Sequence, residues 1–451
     1  MYPKLRLLVW LGMVVMVAAR SAPARGDWGE SYRLQNGLRV VLSPDARFPS
    51  VTVLLRYHVA ARNEPAGRSG ISHLVEHMTF RVPRPSPQAG SYSSQFTVSS
   101  RNGTTDFDET EYYTTMPSGD LKYAIWTERW RMGIDLSRMT ESDRKQELDV
   151  VRNERRERLE IMPYRAARHR LWIELFPAGH PYHEEVIGSM QDLQAISLDD
   201  VRKYFRTYYG PSNATLAVVG DFNVVDARNI IQDYFAALPA SLPPPVPTAE
   251  PRPLTAQVTL KHDEIYGRAP LLHLAWHTPP RYSADNAAGD VAAMLLGGLE
   301  ANRLMMYVPE AESWSAYQDS LVGGSVFHVV VGPKPGVSLE ALQRKVDAVM
   351  AFMRTAPLPV VQVECAVRRL LRERLRAMED TLSKARFYVD VISKAQPDGD
   401  PLAYARERLV AVKPEDVMRF STKYLTPHKR VVMHIQPAQS GQTVQPVGIR
   451  P

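Results

Sequence analysis

Cysteine is almost absent from this chain, since Cys365 is the single one among 451 residues. One cysteine excludes a disulfide bond within the chain, and it excludes every zinc module that is built from several cysteines. The composition, 44% hydrophobic and 23% charged residues, also excludes a disordered, collagen-like or coiled-coil protein. The sequence is therefore that of an ordinary globular protein, and its length predicts two domains, with three as the alternative.

Long apolar runs are also absent, with one exception at the amino terminus. The apolar run Leu7–Ala19 follows the basic residues Lys4 and Arg6, and small residues suited to a cleavage site come after it. This layout predicts a secretory signal peptide over residues 1–24, with an uncleaved anchor as the alternative, because the run is short for a bilayer of about 30 Å. We expect a mature chain that has no membrane span and is exported to the bacterial periplasm.

The basic charge of the chain does not indicate nucleic-acid binding. The formal charge is +6, but the predicted signal peptide carries three basic residues and no acidic one, so the mature chain has +3. Basic residues in Arg152–Arg158 alternate with acidic ones, and the most basic run, Arg368–Arg376, is short and contains no aromatic residue. A nucleic-acid-binding surface would need a clustered basic patch, so we expect no nucleic-acid partner.

Prolines divide the chain. They concentrate in the segment Leu238–Leu254, LPASLPPPVPTAEPRPL, which can form neither a helix nor a central strand and is typical of an extended linker. The predicted organisation is an amino-terminal lobe at 28–240, a proline-rich linker at 241–254, a carboxyl-terminal lobe at 255–440 and a tail at 441–451.

The two lobes share a pattern of elements. Each begins with a strand, a loop and a helix, and each ends with a strand that follows a helix. The predicted strands are Val51–His58 and Ala214–Val219 in the first lobe, and Leu271–His277 and Arg430–Ile435 in the second. Long helices are predicted at Asp143–Leu159, Asn286–Leu296, Leu339–Thr355 and Gln362–Met378. We predict an α+β fold of two related α/β lobes, each with an antiparallel or mixed sheet and helices packed on one side.

Residues 70–80, GISHLVEHMTF, form the most informative segment. Their spacing predicts an amphipathic helix with Ser72 placed to cap its amino terminus. The face predicted to enter the core consists of Ile71, Leu74, Val75 and Met78, and the other face consists of His73, Glu76, His77 and Phe80. The second face therefore carries ionisable groups at helical spacing.

Two histidines four residues apart on one helical face can direct their ring nitrogens at one zinc ion. Glu76, between His73 and His77, would lie beside the metal, so the segment is H-x-x-E-H, the inverted form of a zinc-peptidase motif. The alternative is an ordinary polar face on a surface helix. The same spacing of histidines recurs at His273 and His277, but there the pattern is a strand without an intervening carboxylate, and we interpret those two as structural.

A catalytic zinc site usually has three protein ligands, so a third ligand must come from another segment. The candidate carboxylates on the predicted helix are Glu147, Glu154, Glu157 and Glu160. Glu147 and Glu154 are two turns apart on one face, about 10 Å along the axis, so one could bind the metal while the other supports the site. The spacing does not choose among the four.

Several segments together resemble a known family. The sequence resembles the pitrilysin/insulinase family of zinc peptidases, which includes the β subunit of mitochondrial processing peptidase and small bacterial relatives. The segments that carry the resemblance are residues 62–80, 102–117, Glu147–Glu154, Gly179–Tyr182, Tyr208–Phe222, Leu295–Leu304 and Leu409–Leu425. They extend over nearly the whole mature chain.

The resemblance implies a metallopeptidase site. It implies that His73, His77 and Glu154 bind Zn²⁺, that Glu76 is the general base for the attacking water, and that Glu147 supports the site from outside the ligand set. A metal ion at this position would polarise the scissile carbonyl of a peptide substrate. The expected activity is therefore zinc-dependent hydrolysis of peptides or small unfolded polypeptides by an endopeptidase.

The resemblance also implies how the substrate and the lobes are arranged. The family fold consists of two related α/β lobes that face each other like a clam. A peptide substrate is expected to bind as an added strand at a sheet edge, and Asn102 is expected to contact it.

Two segments depart from the family pattern. Phe80–Pro83 reads Phe-Arg-Val-Pro where the family has Phe-x-Gly-Thr, and Arg303–Tyr317 offers no clear match to the substrate-holding Arg/Tyr pair of many active members. We hypothesise that this chain is the zinc-bearing half of a heterodimer whose sister chain supplies that pair, or of a homodimer. The alternative is a non-catalytic assembly or binding protein of the same fold.

Overall fold

The computed structural model describes residues 24–26, 28–83, 100–242, 244–245, 247, 254–298 and 302–438. The predicted signal peptide, except for its last residue, and the predicted tail lie outside these described residues. Within the described ranges, every helix is too short or too polar to cross a lipid bilayer.

The described residues form twelve strands and fourteen α-helices. The strands are β1 (Ala24–Gly26), β2 (Gly29–Arg33), β3 (Arg39–Pro44), β4 (Ser50–Tyr57), β5 (Ser100–Thr105), β6 (Thr110–Pro117), β7 (Ala214–Gly220), β8 (Val258–Glu264), β9 (Leu271–Thr278), β10 (Ala311–Asp319), β11 (Ser325–Pro333) and β12 (Val431–Pro437). The helices are α1 (Ile71–Arg81), α2 (Leu121–Met132), α3 (Glu141–Arg155), α4 (Arg165–Leu175), α5 (Met190–Ala195), α6 (Leu198–Tyr208), α7 (Val224–Phe235), α8 (Asn286–Ala293), α9 (Arg303–Tyr307), α10 (Leu339–Thr355), α11 (Val360–Ala377), α12 (Thr381–Asp390), α13 (Pro401–Val410) and α14 (Pro414–Tyr424). Three π-helical segments, Arg156–Ile161, Met294–Gly298 and Val391–Ala395, continue α3, α8 and α12.

The strands separate into two sheets at the proline-rich segment. In the described part of the chain, the first lobe forms a seven-stranded sheet in the order β1-β2-β3-β7-β4-β6-β5, and the second forms a five-stranded sheet in the order β10-β11-β9-β12-β8. Each sheet contains one parallel pair, β3 with β7 and β8 with β12. All other neighbouring strands are antiparallel.

The two sheets repeat one topology. The strands β3, β7, β4, β6 and β5 of the first sheet follow one another as β8, β12, β9, β11 and β10 do in the second. Five α-helices, α2 to α6, stand between β6 and β7, and five, α10 to α14, stand between β11 and β12, in stretches that are described without a gap. The predicted fold class, two related α/β lobes, is therefore confirmed.

The predicted elements are found close to their expected positions. Their ends differ by at most two residues when α3 and α8 are taken together with their π-helical segments, and the helix predicted over Leu339–Thr355 has these bounds. Between Phe235, where α7 ends, and Val258, where β8 begins, the described residues form no helix or strand, in agreement with the proline content of this segment.

One helix of each lobe packs against the sheet of the other lobe. Helix α4 of the first lobe packs Leu171 and Trp172 against Val431 and Met433 of the second sheet. Helix α12 of the second lobe packs against the first sheet, and its contacts there include Leu54 and Ala217, while Leu55 and Val218 point into the main core of the first lobe. Because successive strand residues alternate between faces, helices cover both faces of each sheet, so the prediction of helices on one side was incomplete.

Polar contacts fix α12 on the first sheet. Lys384 donates a hydrogen bond of 2.8 Å to Asp45, and the hydroxyl groups of Thr381 and Thr52 are 2.6 Å apart. Arg386 donates to Glu111 of β6 at 2.5 Å. These contacts are mostly buried, where hydrogen-bonded ionic pairs hold a defined geometry, so the two lobes are joined as one packed unit.

We expect Leu171→Ala to lower the free energy of unfolding by about 2–5 kcal/mol. Leu171 is fully buried in the cluster between α4 and the second sheet, so the substitution leaves a cavity between the lobes. The matched control is Leu375→Ala on α11, where the leucine is 55% exposed and a change of less than about 0.5 kcal/mol is expected. Urea denaturation followed by circular dichroism measures both variants. Two separate transitions, of which Leu171→Ala shifts one alone, would contradict a shared core.

Candidate metal centre

Helix α1 begins at a tightly built turn. Its first turn follows Gly70, whose φ of 87° suits glycine and whose added Cβ would lie 2.6 Å from the carbonyl oxygen of Ile187. The carboxylate of Glu64 accepts hydrogen bonds from the backbone N–H groups of Gly70 at 2.8 Å and Ser72 at 2.9 Å, which satisfies donors that a helix start leaves free. Ser72 was predicted as the cap, but it lies inside the helix and its hydroxyl bonds that of Tyr204 at 2.8 Å.

The apolar face of α1 enters the core of the first lobe as predicted. Its four apolar side chains are at most 1% exposed, and they are Ile71, Leu74, Val75 and Met78. The opposite face is therefore turned towards α3 and β5, where His73 and Glu76 are also buried. Burial of polar groups costs free energy unless they have partners, and these two residues find theirs on α3 and β5.

His73 and His77 meet Glu154 of α3. The Nε2 atoms of His73 and His77 lie 3.6 Å and 3.3 Å from Oε2 of Glu154. Donor atoms around a tetrahedral zinc ion, bound at about 2.0–2.1 Å, are roughly 3.4 Å apart, so the three side chains fit this metal. Among the described residues this is the one group of three or more such side chains whose ligand atoms lie within 4.8 Å of one another.

The other candidate ligands lie elsewhere. Glu157 and Glu160 belong to the π-helical segment after α3, and both are exposed. His273 and His277 lie on β9, where His273 Nε2 is 2.9 Å from Nδ1 of the buried His328. Neither pair joins the group on α1 and α3.

Glu147 contacts the second histidine from its other side. Its Oε2 lies 3.2 Å from Nδ1 of His77. Arg81, one helical turn after His77 on α1, contacts the other oxygen of the same carboxylate. A carboxylate at Nδ1 favours the tautomer with the proton on that nitrogen, which leaves Nε2 free to bind a metal ion. Glu147 thus lies beside the ligand group and outside it, and its supporting role stays a prediction.

Glu76 lies between the ligand group and the outermost strand of the first sheet. Its Oε2 accepts a hydrogen bond of 2.7 Å from the hydroxyl of Thr105 on β5. An added Cβ at Gly103 would lie 2.8 Å from its Oε1, so glycine lets the strand approach this carboxylate. Burial raises the pKa of Glu76 above its ordinary value.

The pKa shifts of His73 and Glu154 favour metal binding, whereas the shift of His77 favours a proton that a metal ion has to displace. Burial lowers the pKa of His73 to about 4, so this imidazole is neutral at pH 7. Burial opposes charge on His77 as well, but its hydrogen bond to Glu154 and the charges of Glu76 and Glu154 outweigh burial and raise its pKa. The hydrogen bond from His77 lowers the pKa of Glu154, which keeps this carboxylate ionised and able to bind a cation.

Asn102 lies on β5, but not on the same face as the site. It alternates along the strand with Gly103 and Thr105, which face Glu76, so its exposed side chain is on the side of Thr104. The structure thus brings Glu76, Glu147 and the three predicted ligands together. It places Asn102 on β5, with its side chain on the face of the strand that is turned away from Glu76. A contact between Asn102 and a substrate stays a prediction.

Sequence patterns missed four residues that shape this site: Glu64, Arg81, Gly103 and Thr105. Gly103 and Thr105 could have been found. If residues 100–105 form a strand next to the helix that carries the motif, alternate residues of this strand face Glu76. Glu64 has no such signal, since it acts from a loop seven residues before Ile71, where the helix starts. Arg81 is the last residue of α1, and its partners are known only once α1 and α3 are seen packed together.

A two-lobed fold with an H-x-x-E-H helix and a distal glutamate defines a class of zinc metallopeptidases. The family model for insulinase, peptidase family M16, matches residues 39–171, and the model described as the peptidase M16 inactive domain matches residues 195–370. The chain belongs to the M16 family.

Relatives of known sequence carry zinc-protease names. The chain is 26% identical over 441 residues to zinc protease PqqE of Helicobacter pylori, covering 94% of this chain and 96% of the relative. It is 26% identical over 228 residues to the probable zinc protease PqqL of Escherichia coli, covering 46% of this chain and 23% of that relative. The first likeness is end to end, and the second is confined to one part of a longer protein.

Solved structures share the fold. A protease from Helicobacter pylori superposes with a TM-score of 0.79 at 25% identity, covering 90% of this chain and 99% of that one. The periplasmic protease PqqL from Escherichia coli superposes with a TM-score of 0.76 at 16% identity, covering 92% of this chain and 49% of that one. The second similarity concerns the fold alone, and this chain spans about half of that protein.

The half-buried Glu64 should make stability depend on pH. Burial raises its pKa from 4.5 to about 8, so the folded protein keeps a proton that the unfolded chain releases between these values. Its contribution to stability is therefore present in full below pH 4.5 and is lost as the pH rises through 8. We expect Glu64→Gln to remove this fall, which is roughly 3–5 kcal/mol for such a shift.

Urea denaturation at pH 5 and pH 8.5 measures the effect of Glu64→Gln. The matched control is Glu407→Gln at an exposed position of α13, which should keep the pH dependence of the unsubstituted protein. A Glu64→Gln variant that loses stability between these pH values as strongly as the control does would contradict the prediction.

Proposed function

We propose that this protein is a zinc-dependent metalloendopeptidase that hydrolyses peptides or small unfolded polypeptides. The observation that carries the proposal is the meeting of His73, His77 and Glu154 beside Glu76, at the outermost strand of a sheet. The names of the relatives are consistent with it, since PqqE of Helicobacter pylori is called a zinc protease.

The roles of the residues follow from their positions. His73 and His77 would hold the metal through Nε2, and Glu154 through Oε2. Bound Zn²⁺ supplies Lewis acidity, which acidifies water and polarises the scissile carbonyl. Glu76 takes the proton from the attacking water and passes it to the leaving amine. The hydroxyl of Thr105 holds the carboxylate of Glu76 in place for both transfers.

Strand β5 is the element best placed to hold a peptide. It is the outermost strand of the described sheet, and Ser100, Arg101, Asn102 and Thr104 are exposed on it. A peptide that adds to this edge gains main-chain hydrogen bonds, and its side chains then alternate between the two faces. The scissile bond would lie where Gly103 and Thr105 face Glu76, and Asn102 would contact the peptide from the other face.

A second chain would complete the enzyme. This chain spans about half of PqqL from Escherichia coli, whose fold it shares, and Arg303–Tyr317, which offered no clear Arg/Tyr pair, forms α9 and most of β10 in the second lobe. We infer a zinc-bearing half that pairs with a sister chain carrying the Arg/Tyr pair, or with a second copy of itself. The amino-terminal signal pattern and the periplasmic location of PqqL support action in the bacterial periplasm.

A non-catalytic role is the competing proposal, and one observation favours it. The family model described as an inactive domain matches residues 195–370, which lie mostly in the second lobe. The described residues of that lobe hold no group of metal ligands like the one on α1 and α3. Because the candidate centre lies in the other lobe, this observation fits a division of roles within the chain as well.

Replacing Glu76 by glutamine separates the two proposals. We expect Glu76→Gln to keep one zinc ion per chain and to lower kcat by about 10²–10⁴-fold, because the amide can still bond Thr105 but cannot accept the proton. Glu154→Gln should lose zinc and activity together. Glu157→Gln, at an exposed position beyond the site, is the control and should behave as the unsubstituted protein.

Metal analysis and cleavage of a fluorogenic peptide library are the two measurements. A purified, unsubstituted protein that takes up no zinc would sink the enzyme proposal. Full cleavage by Glu76→Gln would sink the role of the general base and leave the metal site standing.

The need for a second chain is tested by mixing. We expect the chain alone to cleave peptides slowly, and a sister chain with the Arg/Tyr pair to raise kcat/KM at least tenfold, since the substrate-holding groups then face the metal centre. For a homodimer, specific activity should instead rise with protein concentration in parallel with the dimer measured by analytical ultracentrifugation. Full activity of a monomer that no added chain increases would contradict both forms of the hypothesis.

A further inference from the structure

Arg81 connects the end of α1 to the beginning of α3. Its guanidinium donates a hydrogen bond of 3.0 Å from Nη1 to Oε1 of Glu147 and one of 2.8 Å from Nη2 to Oε1 of Gln146. The same Nη2 is 3.5 Å from Oδ1 of Asp143. Arg81 lies one turn after His77 on the same face of α1, so the histidine and the arginine reach the same carboxylate side by side.

The two oxygens of Glu147 are therefore divided between two partners. Oε1 faces Arg81, and Oε2 faces Nδ1 of His77 at 3.2 Å. A carboxylate held at both oxygens cannot rotate away from the imidazole without breaking an ionic hydrogen bond. The contact of Glu147 with His77 thus depends on Arg81 for its orientation.

The two histidines of the ligand group are held by different means. His73 is packed in the interior at 7% exposure, and its Nδ1 has no hydrogen-bond partner among the described residues. His77 is more exposed, with 20% of its side chain accessible. Packing thus fixes the first ring, whereas the second ring is held by polar contacts, of which the one at Nδ1 is with Glu147.

The charges around the ligand group also indicate that Arg81 keeps Glu147 in contact with His77. Three carboxylates lie in or beside the ligand group, namely Glu154 within it and Glu76 and Glu147 beside it, and two cations pair with two of them. Arg158 lies 2.7 Å from Glu154 on the surface, and Arg81 pairs with Glu147. With its charge balanced by Arg81, Glu147 stays an acceptor for His77; without Arg81 it would be free to turn towards the metal as a competing ligand.

We propose that Arg81 is a positioning residue for the zinc centre, which acts through Glu147 to orient His77 Nε2 towards the metal. The proposal rests on the proposed zinc site and deepens it. Partners outside the ligand set typically change metal affinity 10–100-fold when they are removed. We therefore expect Arg81→Gln to raise the Kd for Zn²⁺ by about that factor. Arg81→Lys should restore part of the affinity, because an ammonium group can bond Glu147 but cannot reproduce the paired contacts of the guanidinium with Glu147 and Gln146.

The control lies on the neighbouring helix. Arg152 is on α3 and pairs with the exposed Asp149 at 3.5 Å, away from Glu147. Arg152→Gln removes the same charge from the same part of the protein, and it should leave the Kd for Zn²⁺ unchanged. This comparison separates the local contact of Arg81 from a general effect of net charge.

A double substitution tests whether Arg81 acts through Glu147. In a Glu147→Gln background, Arg81→Gln should change the Kd for Zn²⁺ by less than twofold, because the intermediate partner is already lost. The Kd is measured by competition with a chromophoric chelator on the full chain, and thermal unfolding of the metal-free variants shows whether the packing of α1 on α3 is kept.

The outcomes are distinct. A Kd for Arg81→Gln within twofold of the unsubstituted value, or an equal loss in both backgrounds, would overturn the role of Arg81. A loss of affinity that accompanies a large fall in the metal-free Tm, without rescue by Arg81→Lys, would assign Arg81 a merely structural role. If the unsubstituted chain binds no zinc, it is the proposed function that fails.

Discussion

The candidate centre depends on the packing of helix α1 against helix α3. The two histidines are on α1 and the glutamate is on α3, and a zinc site tolerates errors of only about 0.2 Å in ligand distance. The apolar face of α1 is sealed in the core, and Glu64 fixes the start of the helix. On α3, the capping box of Thr140 and Asp143 defines the first turn, and Arg144 bonds the carbonyl of Ile196. Both helices are thus held in place by contacts outside the ligand group.

The site also depends on the lobe that does not contain it. Strand β5 offers one face to Glu76 through Thr105, and on its other face Thr104 donates to Glu111 at 3.3 Å. Glu111 accepts hydrogen bonds from Arg56 of β4 and from Arg386 of α12, the helix of the second lobe that packs against the first sheet. The strand that would bind a peptide is therefore supported from behind by residues far along the chain, so the two lobes cannot act as separate modules.

Local and repeated features were predictable from the sequence, and contacts between distant segments were not. The helix around His73 and His77 follows from a period of 3.6 residues, and the strands follow from short β-branched runs between turn residues. Spacing alone left four glutamates open as the third ligand, and the resemblance to a family pointed to Glu154. The packing of α4 and α12 against the sheet of the other lobe could not be predicted from the local sequence. A helix has the same apolar stripe whether it packs against the sheet of its own lobe or against that of the other.

The internal repeat shows that the two lobes share a topology and differ at corresponding positions in their side chains. Helix α8 follows β9 as α1 follows β4, and its half-buried Asp290 accepts a hydrogen bond of 3.0 Å from Gln318 of β10, much as Glu76 accepts one from Thr105 of β5. Burial raises the pKa of Asp290 to about 6. Yet α8, NAAGDVAA, contains no histidine, so this acid has no ligand pair beside it. A helix, an outer strand and an acid on the helix thus recur in both lobes, and within the described residues a metal-ligand group with histidines accompanies them in the first lobe alone.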